Sequence, residues 1–294
     1  MLEIIQSITI GAIQGITEFL PISSSGHLVL VPYLLNWDYQ GLSFDVALHF
    51  GTVLAIIAYF WKDWITIITK AIIKSEIRNP KSEINSNEQN SKSPELPTPN
   101  SQLPTNLLWQ ILVASIPAAI IGYFIKDIVE STLQSPILLA INLIFFGLLL
   151  WIADKYFISR YKIPFDSAQG KQDFGYKHSF IIGMAQAIAL VPGVSRSGIT
   201  MTAGRMIGLD RPSSARFSFL LGTPAMIGAF LFTARDLSIN NLNLAFILAV
   251  ITSTLFGFVA IKYLLKYLVN NNFSIFAWYR IVLAIIVLMV FFLR

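Results

Sequence analysis

Six apolar stretches constrain this chain before any motif is read: residues 44–61, 107–125, 136–153, 213–233, 243–261 and 274–293. Each approaches the roughly 20 mostly apolar residues that a helix needs to cross a bilayer core. Only 13% of the 294 residues are charged, against about 25% in soluble domains, which excludes a soluble enzyme. Two more apolar regions, 4–35 and 179–209, are interrupted in the middle by Pro, Ser and Gly. Each half is too short to span alone, which predicts a re-entrant hairpin of two half-helices. One kinked full span is the alternative for each. The expected class is an all-α polytopic membrane protein.

Charge placement predicts sidedness. Of the 21 Lys and Arg, 15 fall in 62–106, 154–178, 210–216 and 262–272, which share one face if the hairpins do not cross. The opposite face holds three, Lys126, Arg235 and Arg294, and Arg196, Arg205 and Arg280 lie within apolar segments. The positive-inside rule puts the basic face in the cytoplasm and both termini outside. The net charge of +5 therefore records orientation and implies no nucleic-acid partner. The first residues lack the basic n-region and small-residue cleavage site of a signal peptide. The absence of Cys excludes a disulfide framework, and three His make a His-built zinc site a poor reading. Segment 75–106 is rich in Ser, Asn and Pro and reads as a disordered cytoplasmic loop; 154–178 reads as a polar connector.

The chain also repeats itself. Gly11, Gln14, Ile16, Ser23, Ser25 and Gly26 recur 172 residues later as Gly183, Gln186, Ile188, Ser195, Ser197 and Gly198. Gly51-Thr52 is echoed by Gly222-Thr223. Residues 1–153 and 179–294 then each hold one hairpin and three spans. Three is odd, so the second repeat is expected upside down, and inverted repeats of this kind bring their broken helices together near the midplane.

The paired loops carry the chemistry. In the first, Gln14 and Glu18 share a helix face, Pro21 stops the helix, and Ser23, Ser24, Ser25 and His27 follow. The second offers Ser195, Arg196, Ser197 and Thr200 after Pro192-Gly193. Hydroxyls and free N–H groups at a helix start bind anions, and a guanidinium suits phosphate. Ionisable groups at membrane depth are expensive and usually pair or line a polar cavity. Together these residues match phosphoryl transfer. The bland reading has the serines capping half-helices and Glu18 with Arg196 as a structural ion pair. Asp45 and His49, four apart, either extend the site or pair structurally. Arg205, Arg211 and Arg216 read as interfacial anchors, His178 as solvated, and Arg280 as a buried cation without an identifiable partner.

At these loops the sequence resembles the undecaprenyl-diphosphate phosphatase family, the bacitracin-resistance membrane proteins of bacteria. The shared motifs are Gln14…Glu18, 21–27 (Pro-Ile-Ser-Ser-Ser-Gly-His) and 192–200 (Pro-Gly-Val-Ser-Arg-Ser-Gly-Ile-Thr), and 44–51, 217–224 and 277–280 also look like family stretches. The likeness covers all but 75–106. It implies a plasma-membrane enzyme, with its site open to the outer side, that removes the terminal phosphate of a C55 polyprenyl diphosphate. The product is the lipid carrier for peptidoglycan synthesis. It also implies a divalent cation, Mg²⁺ or Ca²⁺, held partly by Glu18. The functional positions carry over to Glu18, Ser24, His27, Ser195, Arg196 and Thr200. Gln14 stands at a position that alternates with Glu, which weakens any scheme with two carboxylates on the metal. Ser23, Ser25 and Ser197 join the substrate-binding set. Ser24 is the expected nucleophile with His27 as acid or base; direct attack by water stays open. The main rival is a polyprenyl-phosphate flippase using the same groups without cleavage. The acid-phosphatase-like type needs a second His after Ser-Arg, and none follows Arg196. Oligomeric state is open, a homodimer included.

Overall fold

The computed structural model describes residues 2–38, 42–73, 106–132, 135–157, 174–233 and 243–293. Loop 75–106, apart from its last residue, and most of the 154–178 connector lie outside them. Eleven helices and no strand occur among the described residues. The first hairpin is α1 (Leu2–Phe19) and α2 (Ser24–Leu35); α3 (Leu42–Tyr59), α4 (Trp61–Ile73), α5 (Leu107–Thr132) and α6 (Pro136–Tyr156) follow. The second hairpin is α7 (Tyr176–Ile188) and α8 (Arg196–Met206), followed by α9 (Arg211–Thr233), α10 (Leu244–Asn270) and α11 (Ser274–Leu293).

The helices within residues 107–125, 136–156, 211–232, 244–270 and 274–293 are each long and apolar enough to cross a membrane. The expected stretch 44–61 is not one straight helix. It stops at Tyr59, and α4 leaves at 71° to α3; the two together pass the same test. Phe60, 2% exposed, sits at the corner against Tyr59 and Phe219. Trp61, Ile65, Ile68 and Ile72 of α4 form an exposed stripe at helical spacing, the pattern of an amphipathic helix.

Each hairpin packs on a helix from the other half of the chain: α1 on α10, and α7 on α5, while α6 packs on α11. Small residues permit the approach. A Cβ on Gly15 would stand 2.6 Å from the Ser253 carbonyl oxygen, and one on Gly183 would fall on the Ala114 backbone.

The three arginines read as interfacial anchors are ion-paired instead. Asp154, at the end of α6, accepts from Arg205 Nε at 3.0 Å and Arg211 Nε at 2.8 Å, and from the Phe273 N–H at 2.9 Å. One carboxylate thus ties together the ends of α6, α8, α9 and α11. Arg216 of α9 donates to Asp63 of α4 at 2.8 Å. His178 is likewise not merely solvated, since its Nδ1 accepts from the Gly175 N–H at the start of α7.

Candidate active site

The two serine loops have the same local construction. α1 ends at Phe19 because Pro21 has no N–H to continue the helical ladder. Ser23 then adopts φ 73° and ψ 97°, and α2 starts at Ser24. In the second loop Gly193 takes φ 87°, Ser195 takes φ 70° and ψ 111°, and α8 starts at Arg196. A non-glycine residue in such a region costs about 1–3 kcal/mol and persists where its surroundings over-determine it, often at functional sites. The two strained serines are the two related by the 172-residue offset. Each bonds the serine two residues on: Ser23 Oγ to Ser25 Oγ at 3.1 Å, and Ser195 Oγ to Ser197 Oγ at 3.3 Å. Ser195 Oγ also accepts from the Gly198 N–H at 3.2 Å, which caps α8.

The loops meet. Arg196 Nη2 donates to Glu18 Oε1 at 3.0 Å, and Ser197 Oγ donates to the Leu20 carbonyl at 3.1 Å. The other carboxylate oxygen, Glu18 Oε2, accepts from Ser24 Oγ at 2.8 Å and Gln14 Nε2 at 3.2 Å. The Glu18 and Arg196 side chains are 9% and 14% exposed. Removing two charges from water costs several kcal/mol per ion unless further hydrogen bonds hold the pair, and Gln14 and Ser24 supply them. Ser24 is therefore within direct proton-transfer reach of a carboxylate.

α9 completes the Arg196 side. Nη1 donates to the Ser218 carbonyl at 3.4 Å, and Nη2 lies 3.1 Å from Met226 Sδ. Gly222 leaves the space the guanidinium occupies, since a Cβ there would fall on Nη1. Thr200 Oγ1 donates to the Arg196 carbonyl at 2.7 Å and meets Ser218 Oγ at 2.6 Å. Thr200 thus supports the start of α8, one step removed from the ion pair.

His27 is engaged elsewhere. Its Nδ1 donates to the Ser23 carbonyl at 2.8 Å, because a carbonyl only accepts. Its Nε2 meets the Tyr279 hydroxyl at 2.7 Å. Both ring nitrogens are taken, and Ser24 turns to Glu18 instead. Arg280, fully buried, has four backbone partners: Nη2 donates to the Gly193 and Val194 carbonyls at 2.9 Å each and to Asn142 at 3.4 Å, and Nε to Leu143 at 3.2 Å. It clamps the second loop to α6.

Two further features bear on ligands. Gln14 is fully buried, and its Oε1 has no hydrogen-bond partner, so an unsatisfied acceptor stands beside the Glu18 carboxylate. No cluster of three or more His, Cys, Asp or Glu forms a metal cage among the described residues. An apolar cavity of about 750 Å³ opens beside the first loop, with Ser25, Gly26, Leu30, Leu139 and Val287 in its wall. Asp45 and His49 line the same cavity, and His49 Nδ1 bonds the Asp45 carbonyl at 2.8 Å.

Of the residues expected from sequence, Gln14, Glu18, Ser24 and Arg196 form one connected cluster. Ser197 joins the loops, while Ser23, Ser25, Ser195 and Thr200 shape them. Sequence reasoning missed Tyr279, Ser218 and Met226. The signals toward them were the Gly51-Thr52 and Gly222-Thr223 echo and the family-like stretches 217–224 and 277–280.

This chain matches the family described as Bacitracin resistance protein BacA over residues 7–286. Curated relatives are similar end to end. A protein of Pelotomaculum thermopropionicum named undecaprenyl-diphosphatase is 42% identical, covering 98% of this chain and 97% of its own. Proteins of the same name from Moorella thermoacetica and Desulforudis audaxviator are 41% and 40% identical, covering 100% of both chains and 98% of both chains. Sequence motifs, helical architecture and full-length similarity agree, and the chain belongs to the bacitracin resistance protein BacA family.

Proposed function

We propose that this protein hydrolyses undecaprenyl diphosphate to undecaprenyl phosphate and inorganic phosphate, recycling the lipid carrier of cell-wall synthesis and conferring resistance to bacitracin. One observation carries the chemistry: Ser24 Oγ donates to a carboxylate whose other oxygen holds Arg196 of the opposite loop. A nucleophile, a base and a phosphate-binding cation thus share one site.

The diphosphate enters between the loops and draws Arg196 from Glu18, because the guanidinium fork matches phosphate oxygens. Glu18, released from its counter-ion, accepts the Ser24 proton. Ser24 Oγ bonds to the terminal phosphorus, and the bridging P–O bond breaks. Undecaprenyl phosphate leaves and takes up the Ser24 proton from Glu18, which restores the carboxylate and needs no proton from His27. Water then gives a proton to Glu18 and attacks the phosphoserine; the Ser24 Oγ–P bond breaks, Glu18 returns that proton to Ser24 Oγ, and inorganic phosphate leaves. Arg196 offsets the charge that develops on the equatorial oxygens. Ser195 and the α8 N-terminus add N–H and O–H donors. The isoprenoid chain lies in the apolar cavity beside Ser25. The expected result is a trapped phosphoserine in the intact protein and none in Ser24→Ala; a wild-type rate in that variant would show direct attack by water.

A divalent cation, Mg²⁺ or Ca²⁺, fits the donor set. Glu18 and the unpartnered Oε1 of Gln14 would hold it through hard oxygen atoms. When bound, it neutralises diphosphate charge. A chelator is expected to stop phosphate release, and an undiminished rate with chelator present would remove the metal from this reading.

The finer topology belongs to the same proposal. The mutual exchange of packing partners, α1 with α10 and α7 with α5, is what two inverted repeats would produce. It supports two re-entrant hairpins, repeats over 1–153 and 179–294, and a midplane site. The charge asymmetry supports both termini and the site opening toward the outer side of the plasma membrane.

A further inference from the structure

Two consecutive residues of α11 reach the two serine loops separately. Among the described residues, Tyr279 hydrogen-bonds the first loop's His27, and Arg280 donates to carbonyls of the second loop and of α6. Neighbouring positions on a helix point about 100° apart, so one turn can serve two different sides. The contacts on the first loop form a chain. The Ser23 carbonyl fixes the proton on His27 Nδ1, which leaves Nε2 with a lone pair if the ring is neutral. The Tyr279 hydroxyl lies 2.7 Å from that nitrogen and is the donor. Ser23 is the strained residue at φ 73° directly before Ser24. The rings of His27 and Tyr279 lie 5.6 Å apart and 7° from parallel, and the two hydrogen bonds to the imidazole nitrogens hold its orientation.

We propose that Tyr279 is a positioning residue which, through His27, holds the strained Ser23 carbonyl and thereby keeps the Ser24 hydroxyl on Glu18. Together with Arg280 it makes α11 the common post that sets the two loops in register. His27 then acts as a structural link in its neutral Nδ1–H form. The role rests on the reading of Ser24 and Glu18 given above.

Tyr279→Phe keeps the ring and its packing and removes only the hydroxyl, so the fold should survive. The chain has three His, and ¹⁵N-histidine-labelled protein in nanodiscs gives three imidazole patterns, with His27 identified by its loss in His27→Gln. The expected pattern for His27 is the Nδ1–H tautomer, with Nε2 moving downfield in Tyr279→Phe as its hydrogen bond is lost. The expected kinetic result is a fall in kcat of about tenfold, the equivalent of one hydrogen bond, with KM unchanged. A His27 Nε2–H tautomer, or an Nε2 signal unmoved by the substitution, would overturn the contact. A moved signal with unchanged kcat would overturn the positioning role. Absence of phosphate release from the unsubstituted protein would strike the hydrolase reading itself, and it shows before any variant is made.

Discussion

Glu18→Gln is expected to lower phosphate release from undecaprenyl diphosphate by at least about 100-fold, because a positioned general base contributes about 10²–10⁴ in rate. The substitution preserves volume and leaves an oxygen to accept from Ser24 Oγ. What it removes is charge. Ser24 loses its proton acceptor, and Arg196, 14% exposed, loses its counter-ion. A loss of 100-fold corresponds to about 2.7 kcal/mol of transition-state stabilisation. Substrate binding should change far less than turnover, since the vacated guanidinium remains available to phosphate. The measurement is kcat and KM on purified protein, with size-exclusion chromatography to check folding. A rate within threefold of the parent would exclude Glu18 as base.

The second large effect falls on Arg196. Arg196→Lys keeps the charge and is nevertheless expected to cost about 100-fold or more in kcat/KM, since a lysine cannot replace a planar fork at a multiply bonded site. The guanidinium bonds Glu18 on one side and the Ser218 carbonyl on the other, and the space beside it exists because residue 222 is Gly. A compact ammonium would reach only one partner. Unlike Glu18→Gln, this change should weaken binding as well as turnover, because Arg196 meets the diphosphate in both ground and transition states. Gly222→Ala should cause a similar loss from the neighbouring helix, by placing a methyl group where Nη1 now lies. Parent-like kcat/KM in Arg196→Lys would reduce the residue to a point charge.

The site was legible in the sequence to the extent that it is built from local breaks. Pro21 and Pro192 within apolar runs, and serines repeated 172 residues apart, marked both loops. Glu18 and Arg196 stood out because charge at membrane depth is costly, and they meet at 3.0 Å. The partners of His27 were not legible. Proximity in the sequence suggested Ser24, but helix geometry turns the imidazole back to the Ser23 carbonyl and out to Tyr279. Arg280 was visible as a buried cation, yet its partners are backbone carbonyls, which no residue type announces. The α3–α4 corner was obscured for another reason: Phe60 and Trp61 continue the apolar run, so nothing local marks the 71° bend, and Phe60 is buried there beside Phe219. Asp63 of α4, paired with Arg216 of α9, shows that charge at the end of an apolar stretch can be interior.

Cleavage at the Glu18–Ser24–Arg196 cluster is read out by phosphate release. Purified protein in proteoliposomes should convert undecaprenyl diphosphate to equal amounts of undecaprenyl phosphate and inorganic phosphate. Intact lipid moved between leaflets with no phosphate released would contradict the account and make the same cluster a transport site.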